Sequence, residues 1–350
     1  MRIGLIVTTY NNSESISRSL NSVKNFKDKL KKIDLKVILI DDASVDNTPA
    51  TLFDFSKEIP STELKIFKTN KGVSRSRNYG ISKSLDTDYL LFLDGDDELN
   101  PKLADYMNKS KLVNDLYAFD FSIVDEKKET QHNHLETRKI FNDKSISEYL
   151  LDFLTMPNRK SMFVSCWAKL YKSKVLKSNV KLRFKEGMKI NEDIHFVFSF
   201  IRKCKLIEYI NISSYIYNDK TKLTKRASFG INSNVIQFFS IVQAMRQLRL
   251  YLIEKKQNID HVNFKIFHCI GAYTCIYSVR AFVRVQSFSD FVNTFHQLKK
   301  IYKKTIIEKS LNIYDVDKAN GNRMTSFFLK QKYFFVASII NLLNSRKRYK

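Results

Sequence analysis

Three short, nearly unbroken apolar runs constrain the fold of this 350-residue chain more than any other feature. They lie at 3–8, 35–40 and 89–93 and are rich in Ile, Val and Leu, with helical patterns between them. A strand that is apolar on both faces must be covered on both faces, which is the situation of a parallel sheet between helix layers. Positions 11–26 carry Ile16, Leu20 and Val23, an i, i+4, i+7 helix stripe with Ser13 as a candidate cap. Further helices are expected over 47–56 and 73–84, with another strand over 63–68. The expectation is an α/β fold, mostly parallel with helices on both faces. In such sheets ligands bind beyond the carboxyl ends of the strands.

Two of those ends are acidic. Asp94-Gly95-Asp96-Asp97 closes the fourth strand, and carboxylates this close repel one another unless something positive sits among them. Hard cations such as Mg²⁺ or Mn²⁺ take oxygen ligands, often one or two carboxylates completed by substrate phosphates. A solvated turn before a helix is the plainer alternative. Asp41-Asp42-Ala43-Ser44 closes the second strand, where a carboxylate suits a base or a ribose, or caps the next helix. Lys71, Arg75 and Arg77 surround a helix start and suit a diphosphate, or are simply surface charges. Glu192-Asp193 precedes an apolar helix over 194–202 and offers either a base for a sugar hydroxyl or a helix cap. Trp167 with Lys169 reads as an aromatic sugar platform or as core. His132, His134 and His195 lack convincing metal partners. Neither GxGxxG nor a P-loop is present, which weakens dehydrogenase and NTPase readings.

The net charge of +24 is unevenly spread. Residues 1–120 carry 18 Lys/Arg against 18 Asp/Glu, whereas 121–230 carry +10 and 231–350 carry +14. An anionic membrane, a phosphate-bearing substrate or a nucleic acid would each suit that excess. A nucleic-acid-binding protein is disfavoured because the N-terminal part is neutral and keeps its acids at strand ends. A nucleotidyltransferase with similar metal logic is a second alternative. The scattered cysteines suggest reduced thiols, and the lack of a signal core or a long apolar run suggests a cytoplasmic protein. Residues 122–145 read as a surface excursion, and from about 230 the pattern becomes helical over 235–252, 261–285, 288–307 and 324–343.

Taken in order, Val7-Thr8-Thr9-Tyr10-Asn11, Ile40-Asp41-Asp42-Ala43-Ser44, Arg77-Asn78-Tyr79-Gly80, Phe92-Leu93-Asp94-Gly95-Asp96-Asp97, Cys166-Trp167-Ala168-Lys169 and Glu192-Asp193-Ile194 are similar to the motifs of family-2 glycosyltransferases of the GT-A fold. The likeness is strongest to bacterial capsule, lipopolysaccharide and teichoic-type polysaccharide enzymes, and it covers about residues 1–225. It implies a GT-A catalytic domain over 1–230, with a nucleotide-sugar-binding half over about 1–120 and an acceptor-binding half over about 121–230. A helical domain over 231–350 would then serve oligomerisation or contact with a membrane surface.

The resemblance implies an inverting transferase that moves a sugar, UDP-linked by default, onto a glycan or lipid-linked acceptor. Thr8 and Tyr10 would line the nucleotide pocket, Asp42 would bind the base and Arg77 would lie near the nucleotide. Asp94 would face the ribose and metal, and Asp96 would bind the Mn²⁺ or Mg²⁺ that bridges the donor diphosphate. Asp193 would be the catalytic base, with Glu192, Trp167 and Lys169 near the acceptor. Lys222, Lys225 and Arg226 would close over the diphosphate. A homo-oligomer and peripheral contact with the inner face of the cytoplasmic membrane are both open. No nucleic-acid partner is expected.

Overall fold

The computed structural model describes residues 1–125, 128–157, 159–188, 190–219, 231–283, 285–319 and 321–349, with side chains for all of these but 231–237 and 347–349. The first part alternates as the apolar runs require: β1 (Arg2–Thr9), α1 (Ile16–Lys29), β2 (Asp34–Asp41), α2 (Thr48–Glu58), β3 (Thr62–Ile66), α3 (Val73–Lys83) and β4 (Tyr89–Asp94). After it come β5 (Glu98–Leu99), α4 (Lys102–Lys109), β6 (Leu116–Val124), β7 (Glu129–His132), β8 (Lys139–Phe141), α5 (Asp143–Thr155), β9 (Lys169–Lys172), α6 (Ser173–Lys177), α7 (Glu192–Ile201) and β10 (Ile207–Asn218). The remaining helices are α8 (Ile231–Glu254), α9 (Ile259–Ala281), α10 (Phe288–Tyr302), α11 (Thr305–Ile313), α12 (Arg323–Lys330) and α13 (Phe334–Tyr349).

One sheet holds the strands in the order β3-β2-β1-β4-β9-β6-β10-β5, with β7 on β6 and β8 on β10. β1 pairs in parallel with both β2 and β4, so the order reverses at β1. That reversal leaves a crevice above the carboxyl ends of three adjacent strands. Leu20, Val23 and Phe26 of α1 pack into a core with Leu5, Val7, Leu39 and Leu91, all buried. Each such side chain contributes about 1.5–3 kcal/mol on leaving water. The expected α/β sheet followed by a helical C-terminal part is what the structure has, but the sheet is mixed, not mostly parallel: β1 to β4 are parallel, as are β6 and β10, whereas β5, β7, β8 and β9 pair antiparallel.

Two packing units emerge, and neither is contiguous. The first comprises Met1–Asn142, Met162–Gly187 and Ser199–Lys220; the second comprises Asp143–Ser161, Met188–Phe198 and Thr221–Lys350. Within the second, α9 is the central helix: Ile266, Cys269, Ile270, Ala272 and Cys275 are buried. A Cβ on Gly271 would lie 2.6 Å from the Ser310 carbonyl oxygen, so α9 and α11 approach each other through glycine.

Several boundaries differ from the sequence reading. The stretch over 122–145 is no mere excursion, because β6 runs on to Val124 and β7 and β8 pair within the sheet. β7 is polar throughout and β8 is only three residues long, Lys139–Phe141, so neither shows a strand pattern; a strand added at an edge needs only backbone partners. α1 begins at Ile16, and Ser13 makes no cap: its backbone N–H donates to Asp46 at 3.0 Å. The expected helix over 288–307 divides into α10 and α11. The one over 324–343 divides into α12 and α13 at Lys332, which takes a left-handed φ of 62°. There the Tyr333 N–H turns back to the Phe328 carbonyl at 2.9 Å, a helix-ending geometry that no glycine announces. No disulfide joins the four cysteines. Among the described residues, no helix is long and apolar enough to cross a membrane.

Candidate functional site

Thr8 on β1 lies opposite Ile40 on β2 and Asp94 on β4, so the acidic strand ends converge on one edge. The loops after β1 and β2 are stitched together by side chains. Asn11 accepts from the Val45 N–H at 2.9 Å, and its own N–H donates to Ser44 Oγ at 2.8 Å. Asp41, fully buried, accepts from the Ser44 N–H at 2.8 Å and from the Ser44 hydroxyl. Asp46 accepts from the backbone of Ser13 and of Thr48, each at 3.0 Å. Burial works against its charge, but the hydrogen bonds from Thr48 and Ser13 outweigh it and lower the pKa to about 2.

The loop before α3 is tied to the same edge. Asp42 is buried and accepts from the Lys71 N–H at 3.0 Å and the Gly72 N–H at 2.7 Å. α3 then places Arg77, 3% exposed, with its guanidinium 2.8 Å from Asp94 Oδ1 and over the Phe184 ring at 5.2 Å. Thr8 Oγ1 donates to the same Asp94 oxygen at 3.5 Å. Thr8, Arg77 and Asp94 are thus in direct contact, with Asp42 holding the loop that leads into Arg77. Tyr10 stands beyond the strand end and is 46% exposed.

The turn after β4 is built around a close approach. A Cβ on Gly95 would lie 2.8 Å from Thr9 Cβ and 2.8 Å from Thr9 Oγ1, so only glycine fits. Asp96 stays partly exposed, and its carbonyl accepts from Arg18 at 3.0 Å and from the Asn218 side chain at 3.2 Å. Asp97 turns inward, where Tyr215 Oη donates to it at 2.7 Å and the Asn218 N–H at 2.8 Å. Burial first, then the charges of Asp96 and Asp94, raise its pKa well above the ordinary carboxylate range. Arg18, Tyr215 and Asn218 escaped the sequence reading. Nothing in the sequence around β10 signals that it returns to brace a turn about 120 residues earlier.

Backbone strain gathers in the same motifs. Asn11 (φ 51°), Ala43 (φ 67°), Ala168 (φ 53°) and Asn191 (φ 63°) all take the left-handed region. Alanine has no side chain to compensate there, so Ala43 and Ala168 are held at a cost of about 1 kcal/mol or more each. Such outliers concentrate where function needs a side chain aimed in a particular direction.

Trp167 stacks on Tyr215 at 4.6 Å and 11° and on Tyr217 at 5.8 Å and 18°, with Phe121 edge-on at 4.8 Å. Lys169 is buried and donates to the Trp167 carbonyl at 3.2 Å. Nearby, His132 stacks on Phe121 at 4.6 Å, and burial followed by the Lys169 and His132 charges lowers His134 to about 3. Glu192 and Asp193 belong to the second unit and form the first turn of α7. Lys222, Lys225 and Arg226 lie outside the described residues.

The comparisons with known proteins agree in direction. The model for glycosyl transferase family 2 matches residues 5–178. Poly(ribitol-phosphate) beta-N-acetylglucosaminyltransferase TarP of Staphylococcus aureus (strain N315) is 29% identical over 207 residues, 58% of this chain and 58% of that protein. TarS of S. aureus (strain MW2), which carries the same enzyme name, is 24% identical over 259 residues, 72% of this chain and 41% of that protein. The chain therefore spans only about two-fifths to three-fifths of the length of these curated relatives. The crystal structure of S. aureus TarS 1–349 in complex with UDP-GlcNAc superposes with a TM-score of 0.65 at 16% identity, covering 99% of this chain and 92% of that one, which shows a common fold. With its motifs set on three adjacent strand ends, the stretch over residues 5–178 matches glycosyl transferase family 2.

Proposed function

We propose that the chain transfers a sugar, with inversion, from a UDP-linked donor to a hydroxyl of a polyol-phosphate or related cell-surface glycan. The observation that carries this reading is the joining of Thr8, Arg77 and Asp94 at the carboxyl edge beside the partly exposed Asp96, in a chain whose residues 5–178 match family 2. The acceptor class is the one in the enzyme names of TarP and TarS, and the donor class is that of the UDP-GlcNAc in the TarS 1–349 complex. Residues 1–120 would form the donor half, 121–230 the acceptor half and 231–350 a helical domain.

A divalent ion fits the donor set. Among the described residues no three His, Cys, Asp or Glu gather into a metal cluster. Mg²⁺ and Mn²⁺ sites on phosphate substrates commonly need only one or two carboxylates, the rest coming from phosphates and water. Asp96, with Asp94, would hold the ion. Once bound, it stabilises the charge that develops on the departing diphosphate.

The residues divide the remaining work. Thr8 and Tyr10 line the nucleotide pocket, Asp42 receives the base, and Arg77 both orients Asp94 and faces the nucleotide. Asp193 takes the proton of the acceptor hydroxyl as its oxygen bonds to the anomeric carbon. The bond from that carbon to the diphosphate breaks in line, releasing the nucleoside diphosphate and inverting the centre. Glu192, Trp167 and Lys169 serve the acceptor side, and Lys222, Lys225 and Arg226 close over the diphosphate. In the second unit, exposed Phe327, Tyr333, Phe335 and Ile339 lie in sequence among Arg323, Lys330 and Lys332, a composition suited to peripheral contact with an anionic membrane. Self-association through these residues is the alternative, and vesicle flotation against sedimentation separates the two.

The test is turnover of UDP-, GDP-, dTDP- and CMP-sugars with Mn²⁺ or Mg²⁺. Metal-dependent hydrolysis or transfer from a UDP-sugar supports the reading. No turnover and no calorimetric binding of any donor would overturn it.

A further inference from the structure

The opposite ends of the same strands enclose a second cavity, of about 840 Å³, within the first unit. Lys31 and Lys32 reach it from the turn before β2, Lys111 from the segment after α4, and Lys172, Lys174 and Lys177 from the end of β9 and α6. Three separate stretches of chain thus bring six lysines to one hollow. Asp88 is the only acidic residue lining it among the described residues, and one of its oxygens already accepts from the Arg2 N–H at 2.7 Å. The concentration is local, since residues 1–120 as a whole carry no net charge. Lys31, Lys32, Lys111, Lys174 and Lys177 are exposed, while Lys172 is tied to the Val113 carbonyl at 2.6 Å. Ile33, Tyr89 and Leu112 supply apolar wall. The cavity is distinct from the acidic edge: Tyr89 lines it and Asp94 ends the same strand five residues on, roughly 17 Å away at the rise of a strand.

We infer that this cavity binds a stretch of phosphodiester-linked polyol, and so holds the acceptor polymer away from the reacting hydroxyl. Lysines act as separate point charges on flexible stems, which suits phosphates spaced along a chain better than one planar carboxylate. The apolar wall meets the carbon stems between the phosphates. The volume falls within the range of sites for small ligands and short segments. This inference rests on the proposed acceptor class.

The test uses the full chain and a short end-labelled poly(ribitol phosphate) oligomer, with binding read by fluorescence anisotropy at low salt. Lys31→Glu, Lys111→Glu and Lys174→Glu are combined in one variant. A charge-matched control carries Lys57→Glu, Lys68→Glu and Lys299→Glu. The first variant is expected to weaken oligomer binding about tenfold or more. The loss should shrink as salt rises, with UDP binding and the thermal midpoint close to wild type. The control should bind the oligomer much as wild type does. Equal oligomer affinity in wild type and the pocket variant overturns the inference. So does an equal loss in the control, which would mark diffuse charge attraction. Inorganic phosphate competing as well as the oligomer, at equal phosphate, would reduce the site to a simple anion site and also overturns it. Loss of binding to phosphatidylglycerol vesicles with oligomer binding intact would assign the lysines to a lipid surface instead. The readout needs no turnover, so absence of sugar transfer in wild type would count against the proposed function alone.

Discussion

The two ends of β1, β2 and β4 gather opposite charges by opposite means. At the carboxyl ends, Asp41, Asp42, Asp94 and Asp97 are fixed by backbone N–H groups, Tyr215 and Arg77, and the loops accept left-handed Asn11 and Ala43 to bring this about. At the amino ends, five of the six lysines are exposed on long stems. The first arrangement fixes direction, which a single chemical step requires. The second supplies attraction without orientation, which suits a flexible polymer. The same strands serve both because a parallel sheet presents its two edges to different loops.

The comparison breaks most sharply at the acidic edge. Asp96→Ala is expected to lower sugar transfer by about 100-fold or more, with little change in the thermal midpoint, because its carboxylate is partly exposed. Steady-state kinetics with a UDP-sugar checks this, and a loss of only a few-fold would remove Asp96 from the metal role. Arg77→Ala leaves Asp94 without the guanidinium that now sits 2.8 Å away. Since Asp94 keeps some solvent contact, the cost should lie near 2–3 kcal/mol, read from urea unfolding. Arg77→Lys should restore much of the stability and less of the activity, since the fork is lost.

Gly95→Ala sharpens the same contrast from the packing side. The added carbon would meet Thr9 at 2.8 Å, so the turn must shift. A destabilisation of about 1–3 kcal/mol and a larger loss of turnover are expected. The smallest effect concerns His134, whose half-buried ring the fold accepts in its neutral form. Below about pH 6.5 the unfolded chain binds a proton that the folded chain refuses until about pH 3, so stability falls as pH drops through that window. His134→Phe should flatten the fall in urea midpoint between pH 7 and pH 5. An unchanged slope would show that the ring titrates normally.

Much of the acidic edge was legible because its parts are local. Each run of apolar residues ends at its own acids, and the strand end is the place where a sheet of this kind binds ligands. What stayed hidden depends on distant segments meeting. Tyr215 and Asn218 brace Asp97 from β10, and the pocket lysines come from positions 31 to 177 within a stretch whose first 120 residues are neutral. β7 is hidden because an edge strand can be polar on both faces, and β8 because three residues, Lys139–Phe141, are too few to show an alternation. The break at Lys332 was missed because its left-handed turn uses lysine where glycine would have announced it. The buried Lys169, donating to the Trp167 carbonyl, could not be foreseen from a motif that reads equally well as a surface platform.

The most direct test of the central claim is transfer of labelled GlcNAc from UDP-GlcNAc to poly(ribitol phosphate), comparing wild type with Asp193→Asn and assigning the anomer of the product. The account predicts a β-linked product from the α-linked donor, with the variant slowed by about 10²–10⁴-fold while it still binds UDP. A product that retains the donor configuration, or a variant as fast as wild type, would contradict it.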